Sequence, residues 1–195
     1  MGLRIRLQKT RVWLNVQRAR LLKAIFGFEQ VVLFVNRLNK ESTQAILRHY
    51  GAHIGQNCDI ESGLVIHRAC GSFINLTLED NCHLGKQVFL DLTDSILIRE
   101  SSTVSMRSMI LTHFDLGHAQ TGHDGYKPYA AAVEIGPRAY LGAGVMILPG
   151  VQLGADCIIG AGAVVNRDMP ARVLAVGVPA TGKTLAEARR ENGVS

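Results

Sequence analysis

Acidic residues are missing from the first 28 positions, where seven basic groups stand: Arg4, Arg6, Lys9, Arg11, Arg18, Arg20 and Lys23. The remainder holds 14 basic against 16 acidic residues, so the net charge of +5 belongs to this segment alone. The slightly acidic body lacks a stripe of basic and aromatic residues, and nucleic acid is therefore not an expected partner. No run of 18 apolar residues occurs; the longest candidate, Val31 to Val35, is far too short to span a bilayer. The start also lacks the apolar block and small-residue cleavage site of a secretory signal, which leads to an expected cytoplasmic location. Cysteines are few. Cys58, Cys70, Cys82 and Cys157 follow neither a paired zinc motif nor a small disulfide framework, and the expectation is four inward-facing, reduced thiols acting as small apolar side chains.

What the chain does have is a period of six. From Ile135 to Pro170 the first place of each six is aliphatic (Ile135, Leu141, Ile147, Leu153, Ile159, Val165). The fifth is small or apolar (Ala139, Val145, Val151, Cys157, Ala163, Met169). Six fits neither the 3.6 of an amphipathic helix nor a sustained alternation of two, so the register restarts at every sixth residue, as in short strands divided by regular turns. This is the pattern of a solenoid. Gly136, Gly142, Gly154 and Gly160 fill the second place, where a missing Cβ is expected to admit the backbone angles of a corner.

Three segments are expected: a basic helical segment over 1–50, a solenoid over 51–183, and a short helix with a tail over 184–195. Leu3, Leu7, Leu14, Leu21, Ile25 and Phe28 form one stripe of a helix over 3–28, flanked by Arg4, Arg11 and Arg18. That stripe suits docking on protein, its own or a neighbouring subunit's, and equally an anionic membrane surface. A second helix is expected over Glu41 to Tyr50, capped by Gly51. First places then run Ile54, Ile60, Ile66, a miss at Ser72, Leu78, Leu84 and Leu90. The count restarts two residues late at Ile98, Val104 and Ile110, which predicts a bulge between Asp91 and Leu97. It stops between Ile110 and Ile135, where a glycine-rich stretch carries His113, His118 and His123; this predicts an excursion loop over 114–134, and long loops on a compact scaffold are usually functional.

Together these residues resemble the hexapeptide-repeat acyltransferases over about Gly51 to Lys183. The most specific parts are the repeat itself, Ile159-Gly-Ala-Gly-Ala-Val-Val-Asn-Arg-Asp-Met-Pro, Ala175-Val-Gly-Val-Pro-Ala, and the Thr112-His113 pair where the loop departs. The subgroup of galactoside, maltose, xenobiotic and surface-polysaccharide acetyltransferases is the most similar. The resemblance implies an all-β core, a left-handed parallel β-helix of three hexads per coil, and a homotrimer. It also implies acetyl-CoA in a cleft between subunits, with no metal, and a sugar or glycan acceptor. His113 matches the family's catalytic histidine. Ala143 and Ala161 match positions whose backbone holds the pantetheine arm, and Asn166 and Arg167 match a pair near the nucleotide end. A second basic residue expected after Gly-Val-Pro is Thr181 here, so Lys183 has to replace it. Asp91 resembles the place of an acceptor-contacting Asn or Asp.

Acetyl transfer from a thioester needs the acceptor hydroxyl or amine to lose its proton as it attacks, a task for a neutral imidazole, whose ordinary pKa is near 6.5. No serine sits in a nucleophile-elbow setting, so direct transfer is expected rather than a covalent intermediate. His118 and His123 could bind substrate or simply be solvated; His49, His53, His67 and His83 show no constellation. Two rivals share the scaffold. A zinc enzyme similar to the γ-class carbonic anhydrases would use His113 and His118, five apart, as metal ligands. A non-catalytic repeat subunit would use the prism as a rod for protein contacts.

Overall fold

The computed structural model describes residues 2–117 and 127–191. Its core is a parallel β-helix, left-handed against the usual rule for parallel crossovers, of between five and six coils. One flat face stacks His53–Ile54, Leu76–Leu78, Ile96–Ile98, Val133–Ile135 and Gln152–Leu153. The second stacks Asp59–Ile60, His83–Leu84, Thr103–Val104, Tyr140–Leu141, Ile158–Ile159 and Val173–Val176. The third stacks Val65–His67, Phe89–Asp91, Met109–Ile110, Met146–Ile147 and Val164–Val165. First and fifth places of the hexads from 135 to 170 all point inward: Ile135, Leu141, Val145, Ile159 and Ala163 have no exposed surface, and Met169, at 5%, is the most exposed. Aliphatic side chains stacked coil on coil are the hydrophobic interior of the prism.

The corners are made differently from the sequence expectation. Left-handed φ falls on the fourth place of the hexad, not the second: Arg138 (57°), Gly144 (70°), Gly150 (83°), Asp156 (58°) and Gly162 (72°), with Asn57 and Asn81 doing the same lower down. Second-place glycines meet another need. A Cβ on Gly142 would stand 2.6 Å from the main-chain nitrogen of Ala161 one coil above, and one on Gly136 would stand 2.5 Å from the carbonyl oxygen of Leu153. These glycines let coils approach closely; they do not bend the chain.

Strand register shows where the count breaks. Ile135 pairs with Leu153, 18 residues on, while Leu78 pairs with Ile98, 20 on, Ile54 with Leu78, 24 on, and Ile98 with Ile135, 37 on. The two-residue bulge therefore exists, and the hexad of Ser72 is no wall of the prism. The described residues 68–75, 92–95, 111–117 and 127–132 all lie between a third-face strand and the next first-face strand. Three interruptions far apart in sequence thus stack on one corner.

The break at Ser72 also corrects the cysteine expectation. Cys70 lies in the extra residues and is exposed, Cys58 is half-buried, and Cys82 and Cys157 are buried. Phe73, from the same extra residues, is fully buried and meets the Phe28 ring at 5.0 Å, helping to plug the lower end of the prism.

That end is covered by helices α1 (Gly2–Phe26), α2 (Phe28–Val35) and α3 (Lys40–His49). Gly27, at φ 85°, breaks the single helix expected over 3–28. Val31, Val35, Ile46 and Leu47 are buried beneath. At the upper end Thr181–Thr184 folds back antiparallel on Val173–Val176, followed by α4 (Leu185–Glu191). Thr184 and Glu187 cap α4 reciprocally, main-chain N–H to side-chain oxygen in each direction at 2.9 and 3.2 Å.

Candidate active site

The interrupted corner gathers the polar chemistry. Asp91 ends a third-face strand just before the two-residue bulge, and its side chain has no exposed surface. Its Oδ2 accepts from the main-chain N–H of Thr112 at 2.9 Å and of His113 at 3.0 Å, and from His113 Nδ1 at 2.5 Å. Its Oδ1 accepts from the Thr93 hydroxyl at 2.7 Å and the Thr93 N–H at 3.2 Å. Burial raises the Asp91 carboxyl, but the hydrogen bonds from His113, Thr93 and Thr112 outweigh it and bring the pKa down to about 2.

An ionised carboxylate can only accept, so the hydrogen between Asp91 and His113 sits on Nδ1. In the neutral ring this tautomer places the lone pair on Nε2, the nitrogen that can then take a proton. The His113 side chain keeps 18% of its surface exposed, open on one side and fixed on the other. Thr112, fully buried, locks the same bend: its hydroxyl donates to the Asp91 carbonyl at 2.8 Å and accepts from the Asp94 N–H at 3.0 Å. The excursion leaves here as a small antiparallel ribbon, with His113 opposite Ala130 and Phe114 opposite Tyr129.

Asp91 was expected to contact an acceptor. Both of its oxygens are taken up by the chain itself, and what it reaches is the histidine. His67, which shows no constellation in the sequence, belongs to the site: its ring stacks on that of His113 at 5.7 Å and 28°, with Phe89 at 5.9 Å on its flank. The signal lies in register alone, since His67 pairs with Asp91 on the neighbouring coil. Next to it Arg68 meets Asp115 at 3.1 Å, tying the first interruption to the third. His118 and His123 lie outside the described residues.

Of the five residues expected to hold acetyl-CoA, four divide between two corners. Ala143 and Ala161 are both exposed and stacked, the N–H of Gly162 donating to the Ala143 carbonyl at 2.9 Å, on the corner between second and third faces. Asn166 and Arg167 follow the last third-face strand and so share the corner of His113, two coils above it. Lys183 is exposed on the returning strand, in register with Leu174. One chain does not bring the two sets onto one corner; they bound opposite edges of the third face. Among the described residues, no three His, Cys, Asp or Glu groups converge as metal ligands would.

A family profile described as bacterial transferase hexapeptide (six repeats) matches residues 132–167, and one described as hexapeptide repeat of succinyl-transferase matches 42–68. Galactoside O-acetyltransferase of Escherichia coli is 27% identical over 146 residues, 71% of this chain and 66% of that protein, so the chain spans just under two thirds of its length. A protein of the same organism named as a colanic acid biosynthesis acetyltransferase is 29% identical over 172 residues, 88% of this chain and 84% of that one. A solved galactoside acetyltransferase in complex with coenzyme A superposes with a TM-score of 0.63 at 20% identity, covering 92% of this chain and 84% of that chain, a likeness of fold. The six-residue period, the prism it builds and these matches converge: the chain carries bacterial-transferase hexapeptide repeats and is similar to hexapeptide-repeat acetyltransferases in sequence and fold.

Proposed function

We propose that the protein moves an acetyl group from acetyl-CoA directly to a hydroxyl or amino group of a sugar or glycan, with His113 as the general base. The observation that carries this is the Asp91–His113 pair, in which a buried carboxylate takes the Nδ1 hydrogen and leaves Nε2 to act. The acceptor O–H or N–H gives its proton to Nε2 as its heteroatom attacks the thioester carbonyl. The tetrahedral intermediate then collapses, the C–S bond breaks, and the CoA thiolate recovers the proton from the imidazolium. Asp91 stabilises the imidazolium between the two steps, an arrangement of the kind found in catalytic triads.

Ala143, Ala161, Asn166, Arg167 and Lys183 hold acetyl-CoA in this reading. Because Ala143 and Ala161 lie on one corner and Asn166 and Arg167 on another, a cleft between neighbours of a homotrimer, with one subunit's His113 edge against the next subunit's Ala143 edge, unites them. Relatives named for galactoside and for colanic acid biosynthesis support a sugar or glycan acceptor, and in this reading the enzyme works in the cytoplasm.

Acetyl-CoA turnover against a panel of sugars, nucleotide sugars and lipid-linked glycans tests the reading. His113→Ala should lower turnover by about 10² or more while CoA affinity stays within a few-fold. Turnover that survives this change, or that a chelator abolishes, overturns it. Light scattering should give three chains per particle; a fully active monomer contradicts the shared cleft.

A further inference from the structure

Helix α1 is apolar on two opposite faces. At about 100° per residue, Val12, Val16 and Ala19 fall within about 60° of one another, and Leu7, Leu14, Leu21 and Ile25 within about 40° on the other side. The first group faces the protein: Ala19 is fully buried, Val16 packs on the core, and Asn15 at the edge of the group donates to Ser42 Oγ on α3 at 2.9 Å. The second group, the stripe expected to dock, faces away from its own chain. Leu7 is 62% exposed, Leu14 53%, Leu21 59% and Ile25 60%, with Trp13 at 59% on the shoulder.

Arg11 and Arg18 run along one side of this outward stripe, and Arg6 stands on the other, with Arg20 and Lys9 farther round the helix on that side. Among the described residues, none of these five forms an ion pair. A second copy laid stripe to stripe would bring like charges together on both flanks with no acid on either helix to meet them. An anionic bilayer surface supplies both what the stripe and what its flanks lack: an apolar boundary and a sheet of negative charge.

We propose that the outward face of α1 is a docking surface for an anionic lipid bilayer, holding the helix flat in the headgroup region. No helix among the described residues is long and apolar enough to cross a membrane, so the contact is peripheral. This surface lies on the helical end of the prism, apart from the Asp91–His113 corner, and stands or falls separately from the catalytic reading.

Flotation of the full chain with vesicles tests it. The protein should float with phosphatidylcholine vesicles containing phosphatidylglycerol at low salt, bind about tenfold or more weakly at high salt, and ignore pure phosphatidylcholine. Leu14→Glu with Leu21→Glu, both at exposed positions, should stay in the soluble fraction throughout while keeping wild-type release of CoA with a soluble acceptor. Arg6→Gln with Arg11→Gln should weaken flotation and leave circular dichroism unchanged. Wild-type protein that never floats overturns the proposal, as does equal binding to neutral vesicles. A doubly substituted Leu14 and Leu21 chain whose particle mass falls in light scattering also overturns it and assigns the stripe to a subunit contact. CoA release is measured without lipid, so its loss would count against the catalytic reading alone.

Discussion

Asp91 Oδ2 holds His113 twice, through the main-chain N–H at 3.0 Å and through ring Nδ1, so one buried oxygen sets both the position of the backbone and the rotation of the imidazole. Asp91→Asn keeps the shape but turns part of an acceptor-only group into a donor facing other donors. Turnover should fall by about 10² or more with KM for acetyl-CoA little changed, as when a catalytic histidine loses its tautomer. Asp91→Glu should recover less than wild-type turnover, and steady-state kinetics of the three proteins checks the order.

Acid should expose the same pair. The Asp91 carboxyl is lowered to about 2 in the fold, below its ordinary value of 3.8. Its contribution to stability is therefore complete above about pH 4 and is lost as pH falls through about 2. Urea midpoints of the wild type and Asp91→Asn should differ most near neutrality and converge between these limits; a constant gap would count against the ionised form.

The His67 ring packs on that of His113, and under the proposed mechanism it is a positioning residue. His67→Ala should lower kcat by about threefold to tenfold with KM for acetyl-CoA unchanged, and His67→Phe, which keeps a flat ring in the stack, should restore most of it. A Phe variant no better than Ala would give His67 a polar task with the acceptor instead.

Thiol labelling should follow exposure. Cys70 should react first with iodoacetamide in the native protein and Cys58 more slowly, while Cys82 and Cys157 wait for unfolding. Burial raises the Cys82 thiol to about 11 and also raises that of Cys157, so neither presents thiolate at neutral pH. Mass spectrometry of timed samples gives the order.

Two neighbouring glycines should fail differently. Gly142→Ala forces a Cβ against Ala161 main chain and should cost about 2 kcal/mol or more, and Gly142→Asn at least as much. Gly144, at φ 70° with open space around a built Cβ, should cost about 1 kcal/mol as Ala and less as Asn, which tolerates the left-handed region. Chemical denaturation of the four variants separates close approach from backbone angle.

Much of the site was legible only as isolated positions. The Thr112-His113 pair stands out because it lies where the period stops, and Asp91 because the count slips just after it. Neither signal says that the two meet. His67 gives no local sign, since the stack depends on a coil of 24 residues rather than 18 placing His67 beside Asp91. The direction of the α1 stripe was equally open: periodicity draws two apolar lines on a helix and cannot say which one α2 and α3 cover.

By itself the sequence determined the solenoid, because a six-residue period fixes which side chains turn inward whatever lies around it, and Ile135 to Val165 satisfy it locally. Only the tertiary structure decided where the chemistry gathers. The extra residues after His67, Asp91 and Ile110 are far apart in the chain, and parallel register alone stacks all three on one corner. Contacts between coils depend on the cumulative length of every loop between them, a sum that no local pattern contains.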